Sequence, residues 1–518
     1  MAAKAPVKAF EVKAPVVGID LGTHSSSVAV VRGGKPEAVA NAQGTHSTPS
    51  VVGFLDGELL VGDVACNNAP KNPTNTVVDC KRMFGRKAED LAADAKRWKC
   101  ALTQKDGKIA VQVVHKGQNT AFTAEQIGGH IISNLKQTAE SYVHAGVKNA
   151  VLTAPAYFDD SQRAALVEAA GHAGITVLRV ISEPVAAAIA YDLDQPNPLN
   201  PFSTFAVFNI GSRSCEVVVL DVKGGIFSER GAAVDHSFGG DCIDDVLLKW
   251  CAEQFKKKHK MDPSETSRSM ARLRVGCERA KKQLTLISST KIEVESAHEG
   301  IDFSVSISRA KFDELTSSVT AKATSVVEAA LANAKVTAAD LAQMLLVGAS
   351  SRIPRVQALL QAALPGVELQ TAIAPEEAAV MGAALQAEAL IGHRVTPSAA
   401  CQISAQVPST PRDICIGCGP GVDTMLLAPA GTPLPLDLSF SIELQEAGQA
   451  SMLIEMYEGP PGPQASAQLV AAECLHGIEL GPITAHLNID EAGRLTLHAK
   501  DASGASRHNI VVGPHEED

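Results

Sequence analysis

Val16–Val31 reads VVGIDLGTHSSSVAVV and Phe205–Leu220 reads FAVFNIGSRSCEVVVL. Laid on each other without a gap, they set Asp20 against Asn209, Gly22 against Gly211 and Thr23 against Ser212. Each is a strand, a polar turn and a second strand with alternating β-branched residues. Ala-rich amphipathic stretches such as AEQIGGHIISNLKQTAESYV and VTAKATSVVEAALANA follow later in each half. Two related halves predict two lobes with a ligand cleft between them, each lobe offering the N–H groups of a tight turn to an anion. The second turn is unusual. Phosphate-holding turns favour glycine because the backbone must bend and approach closely, yet Gly211 is followed by Ser212, Arg213 and Ser214. A working phosphate turn, a disabled one and a plain hairpin all remain open at this point.

The 518 residues suffice for three or four domains. No run approaches ~18 apolar residues and no apolar leader opens the chain, so a cytoplasmic protein is expected. The 11 cysteines are scattered and do not resemble a disulfide framework. Cys415 and Cys418 have half-site spacing, but no second pair matches them, so ordinary strand or turn thiols are the preferred reading over zinc. After Gly392 a Ser-, Pro- and Ala-rich stretch reads as a linker. Short alternating runs between Gly, Pro and Asp turns then predict a small antiparallel β domain. The expected layout is an extension over 1–15, a nucleotide-binding domain over 16–392, a linker over 393–412, a β domain over 413–513 and an acidic tail over 514–518. From Val395 onward four basic residues face fifteen acidic ones, which accounts for the whole net charge of −11. So acidic a region repels phosphate backbones, which argues against direct nucleic-acid binding. The basic run Lys256–Lys260 reads as a solvated helix end rather than an RNA contact.

Chemistry-bearing residues cluster at strand ends and turns. Asp20 ends a buried strand, where it can hold Mg²⁺ through water while Thr23 and the turn amides reach phosphate oxygens. Lys81 beside Arg82 offers a point charge for a phosphoryl group, or forms only a surface basic cluster. Ser182 is placed to cap a helix with Glu183 in its first turn and Pro184 where proline is tolerated. Glu278, Lys281, Lys282 and Thr285 share one helix face that could grip a ribose and an adenine. Gly348, Ala349 and Ser350 follow a buried strand and enter a helix, an anion- or nucleotide-binding junction.

In this order, GIDLGT, DCKRMFGRK, APAYFDDSQR, SEPVAAAIAY, FGGD, CERAKKQL and LLVGASSRIP closely resemble the heat-shock protein 70 family. The resemblance implies an α/β two-lobed, actin-like (ribonuclease-H-like) nucleotide-binding domain with ATP and Mg²⁺ in its cleft. It further implies a small all-β sandwich resembling the family's peptide-binding domain, here without a helical lid. Residue by residue, it makes Asp20 a metal-shell carboxylate, Thr23 a phosphate contact, Lys81 the charge at the reacting phosphate and Glu183 a second orienting carboxylate. Gly22, His24 and the Gly211–Ser214 turn would border the phosphates, together with Gly239 and Gly240 of FGGD. Glu278, Lys281, Lys282, Thr285, Gly348, Ala349, Ser350, Arg352 and Glu376 would form the adenosine side. Pro155 and Arg163 match the pair that couples nucleotide state to the other domain.

Departures from the family pattern are concentrated at the second turn. Asn209 stands where the family has an aspartate, and Ser212 and Arg213 where it has glycines. Loss of one positioned charged group costs ~10²–10⁴ in rate. Arg213 either occupies the space of the last phosphate or neutralises it, and both favour binding over turnover. His24, Lys282 and Ala349 also depart from the pattern, and the linker lacks the family's leucine-rich form. These features point to an atypical member similar to the ribosome-associated type, which binds ATP with little or no hydrolysis. It would act as a scaffold with a zuotin-like J-domain partner, alongside a second heat-shock protein 70, on ribosome-bound nascent chains and without membrane contact. The alternative is an active ATP-hydrolysing chaperone with a shortened peptide domain. A small-molecule kinase on the same fold is disfavoured by the chaperone-like adenosine and coupling motifs.

Overall fold

The hairpin Val16–Asp20 (β1) and Ser25–Arg32 (β2) seeds a sheet in which Lys35–Ala38 (β3), Asn149–Ala154 (β4) and Thr176–Ser182 (β5) give the order β5-β4-β1-β2-β3. The hairpin Phe202–Ile210 (β6) and Cys215–Lys223 (β7) seeds another, with Ile226–Asp235 (β8), Gln343–Val347 (β9) and Glu368–Gln370 (β10) in the order β8-β7-β6-β9-β10. The two orders are one topology. Each hairpin is antiparallel to the next strand outward, and its first strand pairs in parallel with a strand that arrives only after a long excursion. The predicted duplication is therefore carried by strand order as well as by sequence.

This computed structural model describes residues 15–95, 97–193, 202–223 and 226–392, and from there 414–417, 424–428, 436–442, 451–459, 468–476, 483–489, 495–500 and 506–512. The expected linker, most of the expected N-terminal extension, the acidic tail and Cys418 lie outside these residues. Two units are distinguished, Met1–Ile403 and Ser404–Asp518.

In the first unit each sheet has its own core. Val17, Ile19, Val28 and Leu152 pack with Ile127, Ile131 and Ile132 of the helix Ala124–Val143 (α1) on one side. Phe208, Val217 and Leu346 pack with Leu247 and Phe255 of the helix Gly240–His259 (α3) on the other. Local signals set the helix starts. Thr123 and Gln126 form a capping box for α1, and Ser182 caps Glu183–Ala190 (α2). The helix Ser267–Leu284 (α4) is capped by Thr266. Ala378–Gly392 (α5) is the last described element of the unit.

Helices α2 and α5 pack where the two halves meet. α2 follows β5 of the first sheet and touches both sheets: its Ala186 and Ile189 cluster with Val16, Val151 and Ile181 of the first, and its Ala187 and Ala188 pack against Phe205, Val207 and Leu345 of the second. α5 follows the second sheet, but its Ala383 and Ala387 pack with Val16 and Val151 of the first. Close approach requires the smallest residues here: a β-carbon on Gly382 would lie 1.7 Å from the Ala186 carbonyl oxygen, and one on Gly18 would lie 2.3 Å from the Ala384 nitrogen.

Among the described residues the second unit has two four-stranded sheets, and their pairings are antiparallel. Its strands include the expected alternating runs and add Ile414–Gly417, in which Cys415 is buried. Among the described residues no helix is long and apolar enough to cross a membrane.

Candidate functional site

Between the two hairpins lies a cavity of about 390 Å³, within the range of small-molecule sites. Asp20, at the end of β1, accepts a hydrogen bond from Thr153 Oγ1 at 2.8 Å. Burial, helped by the Glu183 charge, pushes its carboxyl up to about 6. Lys81 arrives on the short 3₁₀ turn Cys80–Met83, which Asp79 opens with a left-handed backbone (φ 56°). Its Nζ donates to Glu183 Oε1 at 2.9 Å. Burial opposes the Lys81 charge, but the Glu183 and Asp20 carboxylates outweigh it and raise its pKa.

Asn209 stands at the position matching Asp20. Its Nδ2 donates to Glu183 Oε2 at 2.7 Å and to Glu216 Oε1 at 3.0 Å. Glu216 is its cross-strand partner, whereas the partner of Asp20 is Ser27. The sequence reading did not single out Glu216. The signal was present as one acid in the apolar run CEVVVL, opposite Asn209 in the hairpin register. Burial and the neighbouring Glu183 push this carboxyl up to about 8, so at neutral pH it is largely protonated and spares the cleft a further charge.

The second turn forms without positive φ at Ser212, Arg213 or Ser214. It closes through Gly211 N–H to the Ser214 carbonyl at 2.9 Å. The loss of glycine is therefore accommodated without left-handed strain. Carbonyls of Gly211 and Ser212 accept from the first amides of α3, Gly240 at 2.9 Å and Asp241 at 2.8 Å. Gly239 and Gly240 permit this approach, since β-carbons there would lie 2.5 Å from the Ser212 oxygen and from Ser350 Oγ respectively. In the first turn, a β-carbon on Gly22 would lie 2.1 Å from the Ser25 oxygen.

Facing these turns, α4 presents Glu278, Lys281, Lys282 and Thr285 to the cavity, as its helical spacing predicts. Lys281 Nζ donates to Asp244 Oδ2 at 2.6 Å. Lys282 pairs with Glu278 at 2.8 Å. His24, from the first turn, lies 3.6 Å from the same Glu278 carboxylate, which raises its pKa against the effect of burial. Gly348, with φ 81°, Ala349 and Ser350 complete this wall with Glu376.

The predicted site residues thus come together with two exceptions. Gly239 backs onto Ser212, and Arg352 is held in a fork by Glu376 at 3.0 Å for both bonds; neither lines the cavity. Pro155 lines it, while Arg163 is buried behind, donating through Nε to the Phe158 carbonyl at 3.1 Å. Among the described residues no group of three or more His, Cys, Asp or Glu is arranged to hold a metal ion. A magnesium ion would be held through its water shell and through phosphate oxygens. Three buried polar atoms of the lining, Ser212 Oγ, Arg213 Nε and Asp244 Oδ1, have no partner. Such orphaned groups fit a polar ligand carrying both acceptors and donors.

A family profile described as Hsp70 protein matches residues 16–517. The chain is similar to the heat shock 70 kDa protein of Neurospora crassa, 38% identical over 506 residues that cover 96% of this chain and 78% of that protein. It is 36% identical to heat shock cognate 70 kDa protein 3 of Dictyostelium discoideum, covering 96% of this chain and 80% of that protein. It is 34% identical to a heat shock protein of Pyricularia oryzae, over 92% of this chain and 75% of that protein.

Proposed function

The chain belongs to the Hsp70 family, and from that premise we propose a member that holds magnesium-ATP with little or no hydrolysis. In this reading it serves as a scaffold with a J-domain partner on ribosome-bound nascent chains. The observation that carries the reading is Asn209, whose neutral amide joins the Glu183 and Glu216 carboxyls. Magnesium-ATP, when bound, supplies a phosphoanhydride bond and several negative charges. Around it, Lys81 brings a buried cation that Glu183 orients, and Asp20 brings the carboxylate that a hydrated magnesium ion requires. Asn209 can hold Glu183 in place but adds no charge to the metal's surroundings. Binding is thereby kept and turnover lowered, by ~10²–10⁴-fold on the usual scale of a lost charged group.

The ribosomal setting, the zuotin-like partner and the second heat-shock protein 70 draw their support from the sequence resemblance. A second reading, an active ATP-hydrolysing chaperone, is favoured by the retained Asp20, Lys81 and Glu183 and by Glu216 one strand away from Asn209. Single-turnover hydrolysis of radiolabelled ATP, with and without a J-domain protein, separates the two. The scaffold reading expects bound ATP to remain intact over many minutes and the J-domain protein to leave the rate unchanged. Clear stimulation would establish the active reading in its place.

A further inference from the structure

Helices α3 and α4 meet along a seam that leads away from the cavity. At its cavity end Lys281 Nζ donates to Asp244 Oδ2 at 2.6 Å, and beyond this Arg274 pairs with Asp245. Two turns on from Asp244 along α3, and one turn back from Lys281 along α4, two cysteines face each other. The Cys277 thiol donates to Cys251 with 3.5 Å between the sulfurs, and both side chains are fully buried. Leu247, Phe255, Leu273 and Ala280 share their core cluster, so the setting is apolar. The Cys277 contact and then burial push the Cys251 thiol up, so the closed seam keeps it protonated and slow to react. An S–S bond of about 2.05 Å asks each sulfur to travel about 0.7 Å, a modest rotation about χ1.

We infer that Cys251 and Cys277 are a modification site, at which a peroxide-class oxidant joins the two sulfurs in a disulfide that staples α3 to α4. The inference is independent of the nucleotide reading. When the seam opens, one thiol loses its proton and its sulfur takes an oxygen from hydrogen peroxide, giving a sulfenic acid and hydroxide. The second sulfur, deprotonated in turn, attacks the first and displaces another hydroxide. The two released protons turn both hydroxides into water, so the peroxide gains the two electrons that the thiols lose. Burial makes the reaction slow and shields the finished bond equally from reducing thiols. The staple fixes Glu278, the chain neighbour of Cys277, and the Lys281–Asp244 contact on one rigid wall.

Hydrogen peroxide applied to the folded full chain, followed by alkylation, non-reducing tryptic digestion and mass spectrometry, tests this. The peptide Trp250–Lys256 should be found joined to Val275–Arg279 with the loss of two hydrogens. The closed loop holds about 25 residues, so the oxidised protein should melt roughly 5–10 °C higher, and dithiothreitol should reverse the rise. Cys251→Ala should abolish the joined peptide and the rise alike. Cys277→Ala should do the same, and it serves as the test variant if circular dichroism shows that Cys251→Ala does not fold. Both thiols still open to alkylation after denaturation, once the exposed Cys66 has been oxidised, would overturn the assignment. So would a joined peptide that forms only in denaturant, or a rise in melting temperature that survives in Cys251→Ala.

Discussion

Asn209 does what an aspartate in its place could not: one amide nitrogen satisfies two carboxyl groups at 2.7 and 3.0 Å. An acid in its place would have to ionise beside the Glu183 charge, with Lys81 as the cation hydrogen-bonded to Glu183, or stay protonated as Glu216 does. The arrangement has a pH signature. Burial raises Glu216 from 4.5 to about 8, so between those values the folded chain binds a proton that the unfolded chain has released. Stability from this group is full below the ordinary carboxylate range and is lost as pH rises through about 8. Glu216→Gln should therefore flatten the fall in melting temperature between pH 5 and pH 9 on the order of a few degrees, measured on nucleotide-free, chelator-treated protein. An unchanged slope would mean that Glu216 is ionised throughout. Asp20, Lys81 and Glu183 were legible in the sequence because each stands at a strand end, a turn or a helix start. Glu216 was not, because it sits inside an apolar strand and its counterpart in the first hairpin is Ser27. The approach of His24 to Glu278 was also hidden, since nothing local links two residues so far apart in the chain.

Among the elements, the hairpins and α4 followed their periodicity, and the face carrying Glu278, Lys281, Lys282 and Thr285 meets the cavity as its spacing required. The contact of α2 with α5 did not announce itself. Both helices are alanine-rich, but which sheet each covers depends on the fit of Gly382 against Ala186, a steric match that no local pattern encodes. Gly382→Ala should cost about 3 kcal/mol, because a methyl group there must displace backbone rather than a flexible side chain. The expected readout is a lower denaturant midpoint together with weaker nucleotide binding, as α2 begins with Glu183. A variant as stable as wild type would show that the helices separate at no cost. The short sheets formed by residues 52–55, 58–61 and 76–77 and by residues 101–123 were likewise illegible, since their runs are brief and partly polar.

For the molecule as a whole, the match between two hairpins was enough to foresee a duplicated architecture, and the shared strand order bears that out. How the halves interlock was beyond it. A chain ending at residue 370 keeps every strand of the first sheet but lacks α5, leaving Val16 and Val151 without Ala383 and Ala387. Such a fragment should bind a hydrophobic dye and aggregate, and co-expression of residues 371–518 should restore solubility. A soluble, dye-negative fragment would show that the first half is self-sufficient. The late arrival of α5 also sets a clock on biosynthesis. The hairpin that begins at Val16 leaves the translation machinery long before Ala378 does, and at ~5–20 residues per second the delay is roughly 20–70 s. Throughout that wait Val16 and Val151 lack Ala383 and Ala387, so part of the newborn sheet's face is left waiting for a helix made hundreds of residues later.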